Sequence, residues 1–147
     1  MFNREKMLSR LVLLLLLVIT GCSTISKFDQ YAYTQATSLK VDALNVMGHA
    51  TEPYQDHKAD IIKVQTAVDK MFEYEKNRPK NNISEKMWVV VRDSSGHLFG
   101  GFLKRWQKEN TLDAAFIKEA QQQVGESFDQ ISQLESGKIK SAQVAAN

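Results

Sequence analysis

The chain has little of what usually announces a function. One cysteine among 147 residues excludes an intramolecular disulfide. No GxxxxGK[ST] or GxGxxG loop occurs to cradle a phosphate, and no GxSxG or HExxH signature surrounds a serine or one of the three histidines. There is no internal repeat, no low-complexity tract and no long linker; the two prolines, Pro53 and Pro79, stand alone. The longest uninterrupted apolar run, Leu11 to Ile19, is nine residues, short of the roughly 20 that cross a bilayer core. Charge of one sign is also scarce. Arg4, Lys6 and Arg10 against Glu5 hold the whole excess of +2, and from Cys22 onward 16 bases balance 16 acids. A neutral body has no broad basic field, which argues against nucleic acid as a partner. These absences point to a protein that is not an enzyme and uses no cofactor or metal.

What is present begins with the first 22 residues. A basic start, a short apolar stretch and small residues behind it are the marks of a secretion signal. Nine consecutive aliphatics with no polar face suit the surface of a globular helix badly. Ile19-Thr20-Gly21-Cys22 resembles the lipobox of bacterial lipoprotein precursors, with Ile19 where that family prefers Leu. The resemblance implies cleavage by signal peptidase II between Gly21 and Cys22, a diacylglycerol on the Cys22 thiol, and acylation of the new amine. It implies too that Ser23, in place of the Asp that retains such proteins at the inner membrane, sends the chain to the outer membrane, facing the periplasm. Two or three acyl chains on one residue hold a protein essentially permanently where one holds it only marginally. Residues 1–21 are thus expected to be a signal peptide and 22–27 the lipidated cysteine with a short tether. At about 3.5 Å per residue the spacer Ser23 to Ser26 spans about 14 Å, so the folded part sits near the membrane.

Residues 28–138 read as one helical domain, of a length that buries roughly two-thirds of its unfolded surface, and 139–147 as a flexible tail. Phe28, Tyr31, Ala32, Leu39, Ala43 and Val46 trace one face of a first helix that Gly48 ends. Glu52-Pro53 opens a second, with Asp56 and Asp60 near its positive end and a buried stripe of Ile61, Val64, Val68, Met71 and Phe72; Pro79 closes it. Asn110-Thr111 caps the last helix, with Asp113 in its first turn and apolar residues from Phe116 to Leu134 at three- and four-residue spacing. Between them, Met87-Trp88-Val89-Val90-Val91 is β-branched and open to two readings. One is two short helices broken at Asp93 to Gly96, with Ser84 as a cap; the other is a β-hairpin over 87–103. The helical reading is preferred, because Phe99, Phe102, Leu103 and Trp106 recur at helical spacing and Gly100-Gly101 would weaken a return strand. The expected fold is all-α: a small bundle of three long helices with a short helical insertion.

Two places merit weighing as sites. Leu98 to Lys108 sets Phe99, Phe102, Leu103 and Trp106 beside Lys104, Arg105 and Lys108. With Trp88 it forms a candidate surface for a protein partner, or a lining for a small apolar ligand or lipid held between helices; the plainer reading buries the aromatics and lets the bases reach outward. His49, Glu52, Asp56, His57 and Asp60 crowd one turn, and such groups can hold a metal. Their spacing matches no established ligand pattern: His57 and Asp60 can share a helical face, but His49 lies across Pro53 from them, so a solvated helix start is the reading preferred. Gly96, Gly100 and Gly101 suggest a tight crossing where Trp88 or Trp106 packs on backbone. The function expected is that of a membrane-anchored lipoprotein acting through protein contacts in the cell envelope, as an accessory or structural component. The alternative is a lipoprotein that binds an apolar ligand.

Overall fold

The computed structural model describes residues 28–139; the expected signal peptide, Cys22 with the lipobox and tether, and residues 140–147 of the expected tail lie outside them. The described residues form five α-helices and no strand: α1 Gln30–Gly48, α2 Lys58–Lys76, α3 Asn82–Arg92, α4 Phe99–Glu109 and α5 Ala114–Glu135. A 3-10 turn, Tyr54–His57, leads into α2. The all-α expectation holds and the hairpin over 87–103 does not form. Within α3 the buried residues Ser84, Trp88 and Val91 follow the helical repeat, while Val89 and Val90 face outward. Tertiary burial overrides a β-branched run here.

Pairings between the helices fix their directions. Lys40 on α1 meets Asp129 on α5, and Leu44 meets Gln121, so these two run antiparallel. Asp29 at the start of α1 meets Tyr74 late in α2, while Val46 and Val64 line one groove; that pair is antiparallel too. Asp69 with Arg92 gives the same result for α2 and α3, and Ser84 with Glu135 and Trp88 with Phe128 give it for α3 and α5. Four helices therefore close a ring, α1–α2–α3–α5, each against its neighbours. α3 is a full side of that ring rather than an insertion, and α4 alone lies outside the alternation, across the end where α1 stops.

The core is rich in aromatics. Trp88, Trp106, Phe99, Phe102 and Phe128 are fully buried together with Met47, Ile61, Leu103 and Ile131. The buried indole N–H of Trp88 has no hydrogen-bond partner among the described residues. Leaving a buried donor unpaired costs about 1–3 kcal/mol, which the apolar area of the ring offsets. On α1 the buried stripe is Ala32, Ala36, Leu39, Ala43, Val46 and Met47. Phe28 and Tyr31, expected on it, are instead exposed, because the helix begins only at Gln30 and Tyr31 falls one residue off the stripe.

Local signals decide the ends. Asp29 caps α1 by accepting the Ala32 N–H at 3.0 Å. Asp113, expected inside the first turn of α5, is its N-cap and accepts from the N–H groups of Ala115 and Phe116. Pro53 stands before its helix in extended backbone, since the following Tyr54 N–H donates to the Asn110 carbonyl rather than within a helix.

The tight crossing exists, but backbone meets backbone in it. A Cβ on Gly100 would lie 2.2 Å from the Arg92 carbonyl oxygen, and one on Gly101 would lie 1.8 Å from that of Gly96. The 93–98 turn thus lies directly on the first turn of α4, which no side chain larger than hydrogen permits. Glycine to alanine inside an ordinary helix stabilises by up to about 1 kcal/mol. Gly101→Ala should instead destabilise by about 1–3 kcal/mol as the turn is forced off the helix. Urea denaturation reads the difference, and a midpoint at or above that of the parent chain would refute the crossing.

Candidate functional site

The aromatics proposed for a partner surface do not reach the surface. Trp88 and Trp106 are 0% exposed, and Phe99 and Phe102 are nearly as enclosed. The apolar face of α4 turns inward, so of that candidate surface only the bases Lys104, Arg105 and Lys108 are exposed. Arg105 lies over the Phe116 ring at 4.0 Å and bonds Glu109 at 3.0 Å. A half-open groove of about 350 Å³ runs past Phe102, Arg105, Phe116 and His97. Trp88, Phe99 and Trp106 line neither this groove nor the one described below.

Two polar assemblies take the place of that surface, one at each end of the ring. The first lies where residue 28 enters. Glu75, the last inward position of α2, is 0% exposed, and Glu135, near the end of α5, is 4% exposed. One guanidinium serves both: Arg78 Nη1 donates to Glu75 at 2.8 Å and to Glu135 at 2.9 Å. Its Nε lies 3.5 Å from Asp29, and Asp29 accepts the Tyr74 hydroxyl at 2.7 Å. Asn81 donates to the Glu75 carboxylate, and the Ser84 hydroxyl donates to Glu135 at 2.5 Å. Ser84 is therefore no helix cap; it sits inside α3 with its hydroxyl turned to a buried acid.

Three carboxylates around one guanidinium cannot all be ionised at equal ease. Burial, and then the charge of Glu135, push the Glu75 carboxyl up to about 7, against the opposing pull of Arg78 and Asn81. At Asp29, burial pushes the carboxyl up, yet the bonds from Tyr74 and the Ala32 N–H, with the Arg78 charge, leave it lowered. The hydrogen bond to Asp29 in turn holds the Tyr74 phenol at about 12.

The second assembly is at the far end, in the turn between α1 and α2. His57 Nε2 and Glu52 Oε2 are 2.6 Å apart, and His49 Nδ1 lies 3.9 Å from Glu52 Oε1. The two imidazoles stack with centroids 4.6 Å apart and planes 18° from parallel. Backbone bonds pin the turn: Glu52 N–H to the His49 carbonyl, Tyr54 N–H to Asn110, and Leu112 N–H to Ala50. Trp106 supports it from beneath. Its indole N–H donates to the Glu52 carbonyl at 2.9 Å, Tyr54 meets it edge-on, and His57 lies 5.7 Å from its ring. The fold thus carries His49 back across Pro53, which sequence spacing could not indicate. His49 and His57 also border a half-open groove of about 220 Å³ with Asp42, Asn45, Asp60 and Lys63; Asp56 is not among its lining.

Among the described residues no helix is long and apolar enough to cross a membrane. Comparison of the chain with protein-family models, curated proteins and solved structures finds no match.

A pH test isolates the first assembly. Between the ordinary 4.5 of a glutamate and about 7, the folded chain keeps a proton on Glu75 that the unfolded chain has released. The folded state then binds more protons, so stability must fall as pH rises through that window and level off above it. The fall is on the order of 3 kcal/mol at most. Glu75→Gln keeps the size and an acceptor for Arg78 but cannot ionise, and should flatten this slope. Urea midpoints from pH 4.5 to 8 measure it, and parallel pH profiles for the two chains would refute a raised Glu75.

Proposed function

We propose that the protein is a lipid-anchored envelope lipoprotein, a non-enzymatic helical module that acts by contact with another protein close to the membrane. The anchor in this reading is Cys22, after cleavage behind Gly21, and the destination is the outer membrane facing the periplasm. What supports the reading is the aromatic ledge at the end of the ring where the tether joins. Phe28 is 62% exposed and Tyr31 52% exposed, and Tyr31 meets Tyr74 edge to face at 4.9 Å. Exposed Tyr and Phe beside an arginine are the side-chain types that form the centres of protein interfaces. Only five residues separate Cys22 from Phe28, so a partner that covers this ledge must itself be at the membrane. The anchor supplies nearness, and the ledge supplies the contact.

Cells labelled with a radioactive fatty acid should mark the parent chain and not Cys22→Ala, and the intact mass of the native protein should begin at a modified residue 22. Retention of residues 1–21, or a free thiol at position 22, would overturn the anchor. Crosslinking in native envelopes should trap one defined membrane-proximal protein. The Phe28→Ser, Tyr31→Ser chain should lose at least about tenfold of that product while it still folds, with a thermal midpoint lowered only by the loss of the Tyr31–Tyr74 contact. Undiminished crosslinking in that variant would remove the ledge as the contact.

A further inference from the structure

We propose that His49, Glu52 and His57 form a binding site for one divalent transition-metal ion of the zinc type. The three donor atoms, two imidazole nitrogens and a carboxylate oxygen, lie within 4.8 Å of one another. Zinc bonds of about 2.0–2.2 Å set tetrahedral ligands roughly 3.3–3.5 Å apart. The distance from His57 Nε2 to Glu52 Oε2, 2.6 Å, is closer than that; the distance from His49 Nδ1 to the other oxygen, Oε1, 3.9 Å, is wider, and no pair among the three ligand atoms exceeds 4.8 Å. Small rotations therefore bring all three to bonding distance. Those rotations fall to His49 and Glu52, around a His57 that packs near Trp106: over half of the His49 and Glu52 side chains is exposed, and His49 carries no tighter bond than the one at 3.9 Å.

The backbone that carries the ligands is already held in place. Trp106 fixes the Glu52 carbonyl, and the 110–112 segment is bonded on both sides of the turn. Such supporting contacts orient metal ligands and sustain affinity. The ligand set selects the ion. Two nitrogens and one oxygen favour Zn²⁺, Cu²⁺ and Ni²⁺, whereas Mg²⁺ and Ca²⁺ require oxygen ligands. Three protein ligands leave a position for water, on the side of the 220 Å³ groove that His49 and His57 border. The site needs neither lipid nor partner and stands apart from the reading of the protein as an anchored contact module.

Titration calorimetry of the full chain in detergent, without a histidine tag, tests the proposal with ZnCl₂. A Cys22→Ala background is run in parallel so that the thiol supplies no ligand. One Zn²⁺ per chain should bind, with a rise in thermal midpoint that MgCl₂ does not reproduce. His49→Ala and Glu52→Gln should each weaken binding more than about tenfold, the loss that removing even a supporting group brings, while His97→Ala leaves it unchanged. Far-UV circular dichroism confirms that the variants fold; His49 and Glu52 carry the test because both are exposed, whereas His57 packs near Trp106. Cu²⁺ should also quench tryptophan emission through the nearby Trp106, and His49→Ala should reduce that quenching. Binding only at millimolar Zn²⁺, a stoichiometry other than one in the Cys22→Ala background, or affinity unaltered in the His49 and Glu52 variants would overturn the site.

Discussion

The Arg78 guanidinium is the constraint on which the arrangement of this fold depends. It joins Glu75 on its own chain segment to Glu135 at the end of α5 and to Asp29 at the start of α1, and Asn81 and Ser84 bring the start of α3 into the same network. All four helices of the ring are thereby tied at one end by hydrogen bonds to charged groups. A buried ion pair adds little net stability over an apolar packing of the same volume, but removal of one partner costs about 3–5 kcal/mol because the other charge is stranded. Its contribution is thus to specify which helix ends meet. An apolar end would accept a slip by one turn; a guanidinium shared among three acids does not.

The opposite end uses a different chemistry for the same purpose. There the large ring of Trp106 fills the space beneath the turn, and its single N–H is divided between the carbonyls of Glu52 and Asn110. α4 reaches this place only because Gly100 and Gly101 let the 93–98 turn lie on its first residues. The polar end sets register, and the aromatic end sets the path of the loops. Between them lies an apolar interior that small residues on α1, Ala32, Ala36 and Ala43, allow α5 to approach closely.

Much of this was legible in the residues. Helical spacing located the helices to within a few positions, and Asp113, Pro53 and Pro79 lay close to true boundaries. Glu75 was missed although its signal is there: it continues the stripe Ile61, Val64, Val68, Met71 at the same three- and four-residue steps, and a carboxylate in register with a buried stripe requires a partner. Glu135 stands in the same relation to Phe128 and Ile131 on α5. What periodicity lacks is the pairing across 60 residues, because a stripe identifies the inward face of a helix and not the helix opposite. The same gap hid the meeting of His49 with Glu52 and His57. Their approach follows from a chain reversal fixed by Asn110 and Leu112, which belong to another part of the sequence. The α4 aromatics illustrate the converse: Phe99, Phe102 and Trp106 were correctly placed on one face, and only the assembled core shows that the face is interior.

The antiparallel run of α1 has a geometric consequence. Nineteen helical residues at 1.5 Å each extend about 28 Å, and the chain enters at one extremity while the histidine turn crowns the other. On the proposed anchoring, that helix acts as a mast. Held upright there, it would lift the turn clear of the headgroups and of whatever sits at the foot, into open water. Solutes arriving from the aqueous side would meet the imidazoles first, at a height set by covalent geometry rather than by the slack of a leash.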